Sequence, residues 1–216
     1  MSTKVKICGV TNLDDARAAA ELGAWAIGMI FYEGSPRRCE LESAAEIAAA
    51  LRRKVELVGV FVNAPLDEMV HVLDSVPLTT LQLHGDEGPS YCDEARRRTG
   101  LKLMKAVRVR DGAAVRALSA YRTDYHLMDS HVQDSFGGTG ERFDWELAHE
   151  HPRHPPLVLS GGLDPDNVAE AIAIARPFAV DVASGVEAEP GRKDPEKLRR
   201  FFASVEAPPK AAAAPV

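Results

Sequence analysis

LVGVFVNAPLDEMVHVLDSVPLTTLQL, residues 57–83, contains the stretch that decides the fold. Residues 57–62 are a short apolar run rich in β-branched side chains. Residues 66–74 follow Pro65 with a helix-like pattern, and residues 80–83 form a second apolar run. A run, a helix and another run make one βαβ unit. Working outward, similar runs recur at 5–8, 26–31, 103–109, 125–128, 157–159 and 178–182. Eight runs in 216 residues is one per 27. Helix-like stretches separate them at 12–22, 41–53, 90–99, 112–120 and 166–175, and another follows the last run at 194–205. Asp14 and Asp15 sit in a first turn, Gly100 ends a helix, and Pro195 opens one. The sixth unit is the weakest, with only about 145–149 helix-like before the Pro-rich HPRHPP at 151–156.

Alternating strands and helices imply right-handed parallel crossovers. Eight units predict an α/β, single-domain (β/α)8 TIM barrel over residues 1–205, with a short, irregular sixth helical unit. A doubly wound open sheet, the alternative, would leave some units unused. Residues 206–216, EAPPKAAAAPV, are low in complexity and are expected to be a disordered tail. The composition, 45% hydrophobic and 27% charged, is that of a globular chain. No apolar run approaches the roughly 20 residues of a membrane helix, and MSTKVKICGV lacks the apolar stretch of a secretory signal. A net charge of −6 without a large basic patch argues against nucleic acid. Cys8, Cys39 and Cys92 are an odd count with no CxxC and no zinc spacing. They fit free thiols in a reducing cytoplasm.

Strands of a parallel barrel are buried on both faces, so polar residues in them stand out. Lys6 and Cys8 share a face of the first strand, and Gln82 and His84 a face of the fourth. The sixth ends in Asp129, and the eighth carries Asp181. Taken singly, each has a structural explanation: a core thiol, a helix cap, a satisfied histidine, a Lys6–Asp181 ion pair. Four strands showing polar groups near one rim point instead to the C-terminal mouth, where barrels of this kind place their active sites.

Ser160–Gly161–Gly162–Leu163 follows strand seven, and Ala183–Ser184–Gly185–Val186–Glu187 follows strand eight. Glycines there let backbone N–H groups approach an anion, and these two loops are a frequent phosphate site in such barrels. Gly137–Gly138–Thr139–Gly140 is a third glycine-rich segment, and a mobile cover over the site is expected of it. Arg37, behind Pro36 in the loop after strand two, can grip a carboxylate through two hydrogen bonds.

The chain resembles phosphoribosylanthranilate isomerases. The matching motifs are KICG (6–9), GMIF with SPR (28–31 and 35–37), GVFVN (59–63), QLHG (82–85), MDS (128–130), GGTGxxFDW (137–145), LSGGL (159–163), DVASGVE (181–187) and GRKD (191–194). They run in family order over about residues 4–205. Ala183 stands where many members carry serine, and Met29 where an aromatic is common. The resemblance implies an Amadori rearrangement of N-(5-phosphoribosyl)anthranilate to 1-(2-carboxyphenylamino)-1-deoxyribulose 5-phosphate, in tryptophan biosynthesis. It implies Cys8 as general base, Asp129 as general acid and Arg37 on the anthranilate carboxylate. Gly161, Gly162, Ser184 and Gly185 would hold the phosphate. Gln82, His84 and Asp181 are expected on the substrate, Asp181 either on a ribose hydroxyl or orienting Lys6.

The residue types suit that chemistry. A carboxylic acid can deliver a proton to the furanose oxygen when burial keeps it protonated. A thiolate in a partly apolar site can remove the C2 hydrogen. No metal or redox cofactor is called for. The expected partner is the small phosphoribosyl substrate alone, with a monomeric, cytoplasmic protein. The related histidine-pathway isomerase would carry Asp in place of Cys8 and a second phosphate site, and Asp86 and Glu87 argue against a second anion after strand four. A non-catalytic phosphosugar-binding barrel would have lost the acid or the base, and this chain keeps both.

Overall fold

The computed structural model describes residues 2–130 and 144–207. Eight parallel strands close into a barrel in sequence order, the first pairing with both the second and the last. They are β1 (Lys4–Cys8), β2 (Ala26–Ile30), β3 (Glu56–Phe61), β4 (Thr80–Leu83), β5 (Lys102–Val109), β6 (Tyr125–Ser130), β7 (Leu157–Leu159) and β8 (Ala179–Val182). All eight fall on the apolar runs. The helices are α1 (Leu13–Glu21), α2 (Leu41–Leu51), α3 (Leu66–Ser75), α4 (Pro89–Thr99), α5 (Gly112–Ala117), α6 (Val168–Ala175) and α7 (Pro195–Glu206). In the sixth unit a 3₁₀ segment, Trp145–Glu150, replaces an α-helix, as the short pattern predicted. α7 runs to Glu206, so its last turn enters the stretch expected as tail. Residues 208–216 and the glycine-rich 137–140 lie outside the described residues.

Local chemistry sets the helix ends. Asn12 accepts a hydrogen bond from the Asp15 amide at the start of α1. Asp194 accepts from the Glu196 and Lys197 amides ahead of Pro195 in α7. Each supplies an acceptor to amides that the first helical turn leaves without one. Gly100 takes φ +68° to end α4, a left-handed geometry glycine adopts without strain.

Side chains alternate across each strand, so two separate cores form. Outward residues such as Ile7, Ile27, Leu57, Leu81 and Leu103 pack beneath the helices. Inward residues fill the barrel. Met104, Ala106, Leu127, Val158 and Ala179 form one inner cluster, with Trp25, Tyr125 and Phe178 packed against it. Trp25 meets Tyr125 and Phe178 edge-on, each at 5.2 Å between ring centroids. Cys8, Ala26, Val58 and Val60 form a second inner cluster. With the lumen filled in this way, ligand can be met only at its mouth. In the register Lys6 lies level with Asp181, and Arg108 with Asp129.

Candidate active site

Cys8, Arg37, Gln82, His84, Asp129, Asp181, Gly161, Gly162 and Ser184 line one cavity of about 250 Å³ at the mouth of the barrel. Gly185, also expected there, does not line it. A Cβ on Gly185 would lie 2.0 Å from the Leu163 carbonyl oxygen. Its part is to let the loop after β8 lie against the loop after β7. A wider hollow of about 560 Å³ adjoins the site at His84, over β3–β5. Its lysine, Lys105, is already bonded to the Leu83 and Gly85 carbonyls and to Glu87.

β1 and β8 build the thiol side of the cavity. The ammonium of Lys6, fully buried, donates to Asp181 Oδ1 at 2.8 Å. Burial pushes the Cys8 thiol above its ordinary pKa, and the charge of Lys6 beside it opposes this only in part. Burial also works against the Lys6 ammonium, but Asp181 and Cys8 outweigh it and hold the lysine above its usual value. Cys8 is therefore a buried thiol next to a buried cation. Asp181 pairs with Lys6, one of the two roles the sequence left open, and it also lines the cavity.

Gly28 on β2 makes room for this arrangement. A Cβ there would lie 2.9 Å from Cys8 Sγ and 3.1 Å from Lys6 Nζ. Gly28→Ala must displace the thiol. Since small misplacements of reacting groups cost up to about 10²-fold, we expect kcat to fall by about tenfold or more with the fold retained. Steady-state kinetics beside a thermal melt check this, and an unchanged kcat would show that the thiol has slack.

β4 and β6 build the opposite side. The Gln82 side-chain amide lies 2.9 Å from His84 Nδ1, and His84 Nε2 lies 3.1 Å from Asp129 Oδ2. With Gln82 Nε2 donating to Nδ1, the imidazole presents its other N–H to the carboxylate, which fixes the tautomer and holds Asp129 in place. The Asp129 side chain is 26% exposed. Asp129 is the last but one residue of β6, so it stands at the mouth and not in the buried part of the strand.

The anion side consists of two turns. Gly161 and Gly162 have φ of +92° and +64°, so the chain reverses there as only glycine does readily. The amides of Gly161, Gly162, Ser184 and Gly185 find no acceptor among the described residues. Four N–H groups in adjoining loops, without an acceptor among the described residues, favour an anion. The hydroxyl of Ser184 adds a donor where Ala183 lacks one.

Arg37 reaches the cavity with its side chain 24% exposed. Its amide donates to Ser35 Oγ at 3.1 Å, fixing the turn around Pro36. Glu187 accepts from Nε twice at 3.0 Å and from Nη2 at 2.8 Å. Glu187 is in turn bonded to Lys193 at 2.9 Å. Both residues lie inside sequence motifs, but nothing local in the sequence assigns them a role. A charge in a surface-like loop carries no local sign of burial. Gly28 was likewise missed, because its neighbours meet it only across the closed sheet.

A filled parallel barrel with titratable side chains and free amides gathered at its C-terminal mouth is a (β/α)8-barrel enzyme. The family model described as N-(5'phosphoribosyl)anthranilate (PRA) isomerase matches residues 5–204. The chain belongs to that family. It is 52% identical over 201 residues to the N-(5'-phosphoribosyl)anthranilate isomerase of Citrifermentans bemidjiense, covering 93% of this chain and 96% of the relative. Among solved structures, the isomerase of Thermotoga maritima superposes with a TM-score of 0.85 at 41% identity, over 94% of this chain and 98% of that one. A phosphoribosyl anthranilate isomerase in complex with reduced 1-(o-carboxyphenylamino)-1-deoxyribulose 5-phosphate gives 0.82 at 39% identity with the same coverage.

Proposed function

We propose that this cavity rearranges N-(5-phosphoribosyl)anthranilate to 1-(2-carboxyphenylamino)-1-deoxyribulose 5-phosphate, with Asp129 as general acid and Cys8 as general base. The chain is an isomerase of tryptophan biosynthesis. One observation carries the assignment of roles: a held carboxyl group, a thiol beside a cation, and four free amides line or border a single cavity. A solved relative bound to the reduced product of this reaction supports the choice of substrate.

The amides of Gly161, Gly162, Ser184 and Gly185 hold the phosphate and fix one end of the substrate. Arg37 holds the anthranilate carboxylate at the other. Asp129 gives a proton to the ring oxygen, the C1–O bond breaks, and C1 becomes a Schiff base with the anthranilate nitrogen. The cationic nitrogen makes the C2 hydrogen acidic. Cys8 gives its thiol proton to solvent, the thiolate so formed is stabilised by Lys6 and removes that hydrogen as a proton, and the electron pair moves to nitrogen. The enolamine then tautomerises to the ketone. Cys8 and Asp129 are three strands apart through β8 and β7, so the two proton transfers come from different sides of the cavity.

The test is loss of the anthranilate-type fluorescence when the substrate is generated in situ from anthranilate and phosphoribosyl pyrophosphate by the preceding transferase. No loss with wild-type protein would overturn the proposal and direct attention to the histidine-pathway substrate. Arg37→Ala should raise KM about 10- to 100-fold with a smaller effect on kcat, since charge-assisted hydrogen bonds contribute about 1.5–3 kcal/mol. An unchanged KM would remove Arg37 from the site. We take the chain to be a monomer, supported by a described surface on which Tyr32 and Val70 are the large exposed hydrophobics. A cytoplasmic location fits its three free, buried cysteines. Among the described residues no helix is long and apolar enough to cross a membrane.

A further inference from the structure

We infer that the buried Glu187–Lys193 pair is a positioning device for substrate recognition, fixing which edge of the Arg37 guanidinium faces the cavity. The inference rests on the proposed role of Arg37. Both residues belong to a two-stranded hairpin, β9 (Glu187–Glu189) and β10 (Arg192–Lys193), which lies between β8 and α7. Glu187 is 5% exposed and Lys193 4%. Neither lines the cavity.

The hydrogen bonds show what the pair does. Glu187 takes the Nε and Nη2 edge of Arg37. A guanidinium carries five N–H groups, so the Nη1 side remains for a second carboxylate. Nη1 has no partner among the described residues. The stem of Arg37 is held too: a Cβ on Gly9 would lie 2.8 Å from Arg37 Cδ. Lys193 uses its ammonium as a tripod, donating to Cys8 O at 2.7 Å, Ala183 O at 3.2 Å and Glu187 Oε1 at 2.9 Å. One buried cation thereby ties the carbonyl of the proposed base, the loop after β8 and the anchor of Arg37. The hairpin is itself pinned to the first βα loop. Thr11 Oγ1 donates to Gly191 O at 2.7 Å, and the Lys193 amide donates to Asp15 Oδ2 at 2.8 Å.

Burial works against both charges. Burial raises the Glu187 carboxyl, but Arg37 and Lys193 outweigh it and hold it below its ordinary pKa. Burial lowers Lys193, and Glu187 restores only part of this. Buried ion pairs add little stability over apolar residues of the same size. What this pair supplies is a fixed geometry for Arg37.

The experiment compares inhibition by two probes in the full chain. One is reduced 1-(o-carboxyphenylamino)-1-deoxyribulose 5-phosphate, and the other is the same compound without the carboxylate. Glu187→Gln should weaken the carboxylated probe about tenfold, the scale of one charge-assisted hydrogen bond, and leave the other within about twofold. KM should rise with kcat little changed. The double variant Arg37→Ala with Glu187→Gln should be no worse than Arg37→Ala alone. Lys193→Met, which keeps the bulk and removes the tie, should show the same selectivity if Glu187→Gln proves unstable. If Arg37→Ala distinguishes the probes and the pair's variants do not, the positioning role is wrong and the carboxylate grip stands. If Arg37→Ala does not distinguish them, both readings fall. Variants that lose both probes equally, or do not fold, assign the pair to structure and overturn the inference.

Discussion

Cys8→Ser is expected to lower kcat by at least about 10²-fold, the usual contribution of a positioned base, with substrate binding largely kept. The change is small in shape. Oxygen is smaller than sulfur, and the slot beside Gly28 that admits Sγ admits a hydroxyl without movement. The change in chemistry is large. A serine hydroxyl gives up its proton far less readily than a thiol, so the Lys6 ammonium cannot bring it to the anion in useful amount. Lys6 and Asp181 remain paired behind it, and the glycine turns after β7 and β8 are untouched. The measurement is steady-state turnover beside binding of the reduced product. Near wild-type turnover would move the base elsewhere, and loss of binding would mean that the substitution disturbed the site as a whole.

The second large effect is expected from Asp129→Asn, again at least about 10²-fold in kcat. The asparagine is isosteric. Its amide oxygen can accept the His84 N–H as Oδ2 does now, so the Gln82–His84–Asp129 chain keeps its shape. Only the transferable proton disappears. Ring opening then lacks its acid, and the substrate stays in the furanose form while still bound at phosphate and carboxylate. KM should change little. A variant with wild-type kcat would show that another group, or water, protonates the ring oxygen. A rise in KM without loss of kcat would make Asp129 a binding residue.

These two candidates stand out in the chain because strand position and residue type together mark them. Cys8 ends β1 and Asp129 is the last but one residue of β6, and a strand end at the rim is where barrel chemistry sits. The two glycine turns were legible for the same reason, since loops seven and eight can be counted along the sequence. Gly185 shows the limit of that reading. Its composition suggests a phosphate contact, and only the structure adds that its missing Cβ also permits a close approach between two loops. Arg37 was found from its loop, but Glu187, its partner, was not.

The sequence by itself determined the eight strands, the helices between them and the weak sixth unit, because hydrophobic period, caps and turn residues act over a few residues each. Its motifs, through their resemblance to phosphoribosylanthranilate isomerases, also implied the class of chemistry. Only the tertiary structure decided which of those residues act on one another. Lys6 meets Asp181 across 175 residues of chain, and Arg37 meets Glu187 across 150. Both contacts exist because the last strand pairs with the first. Closure of the barrel is a long-range event with no local signature, and it sets the environment of the thiol and the aim of the guanidinium.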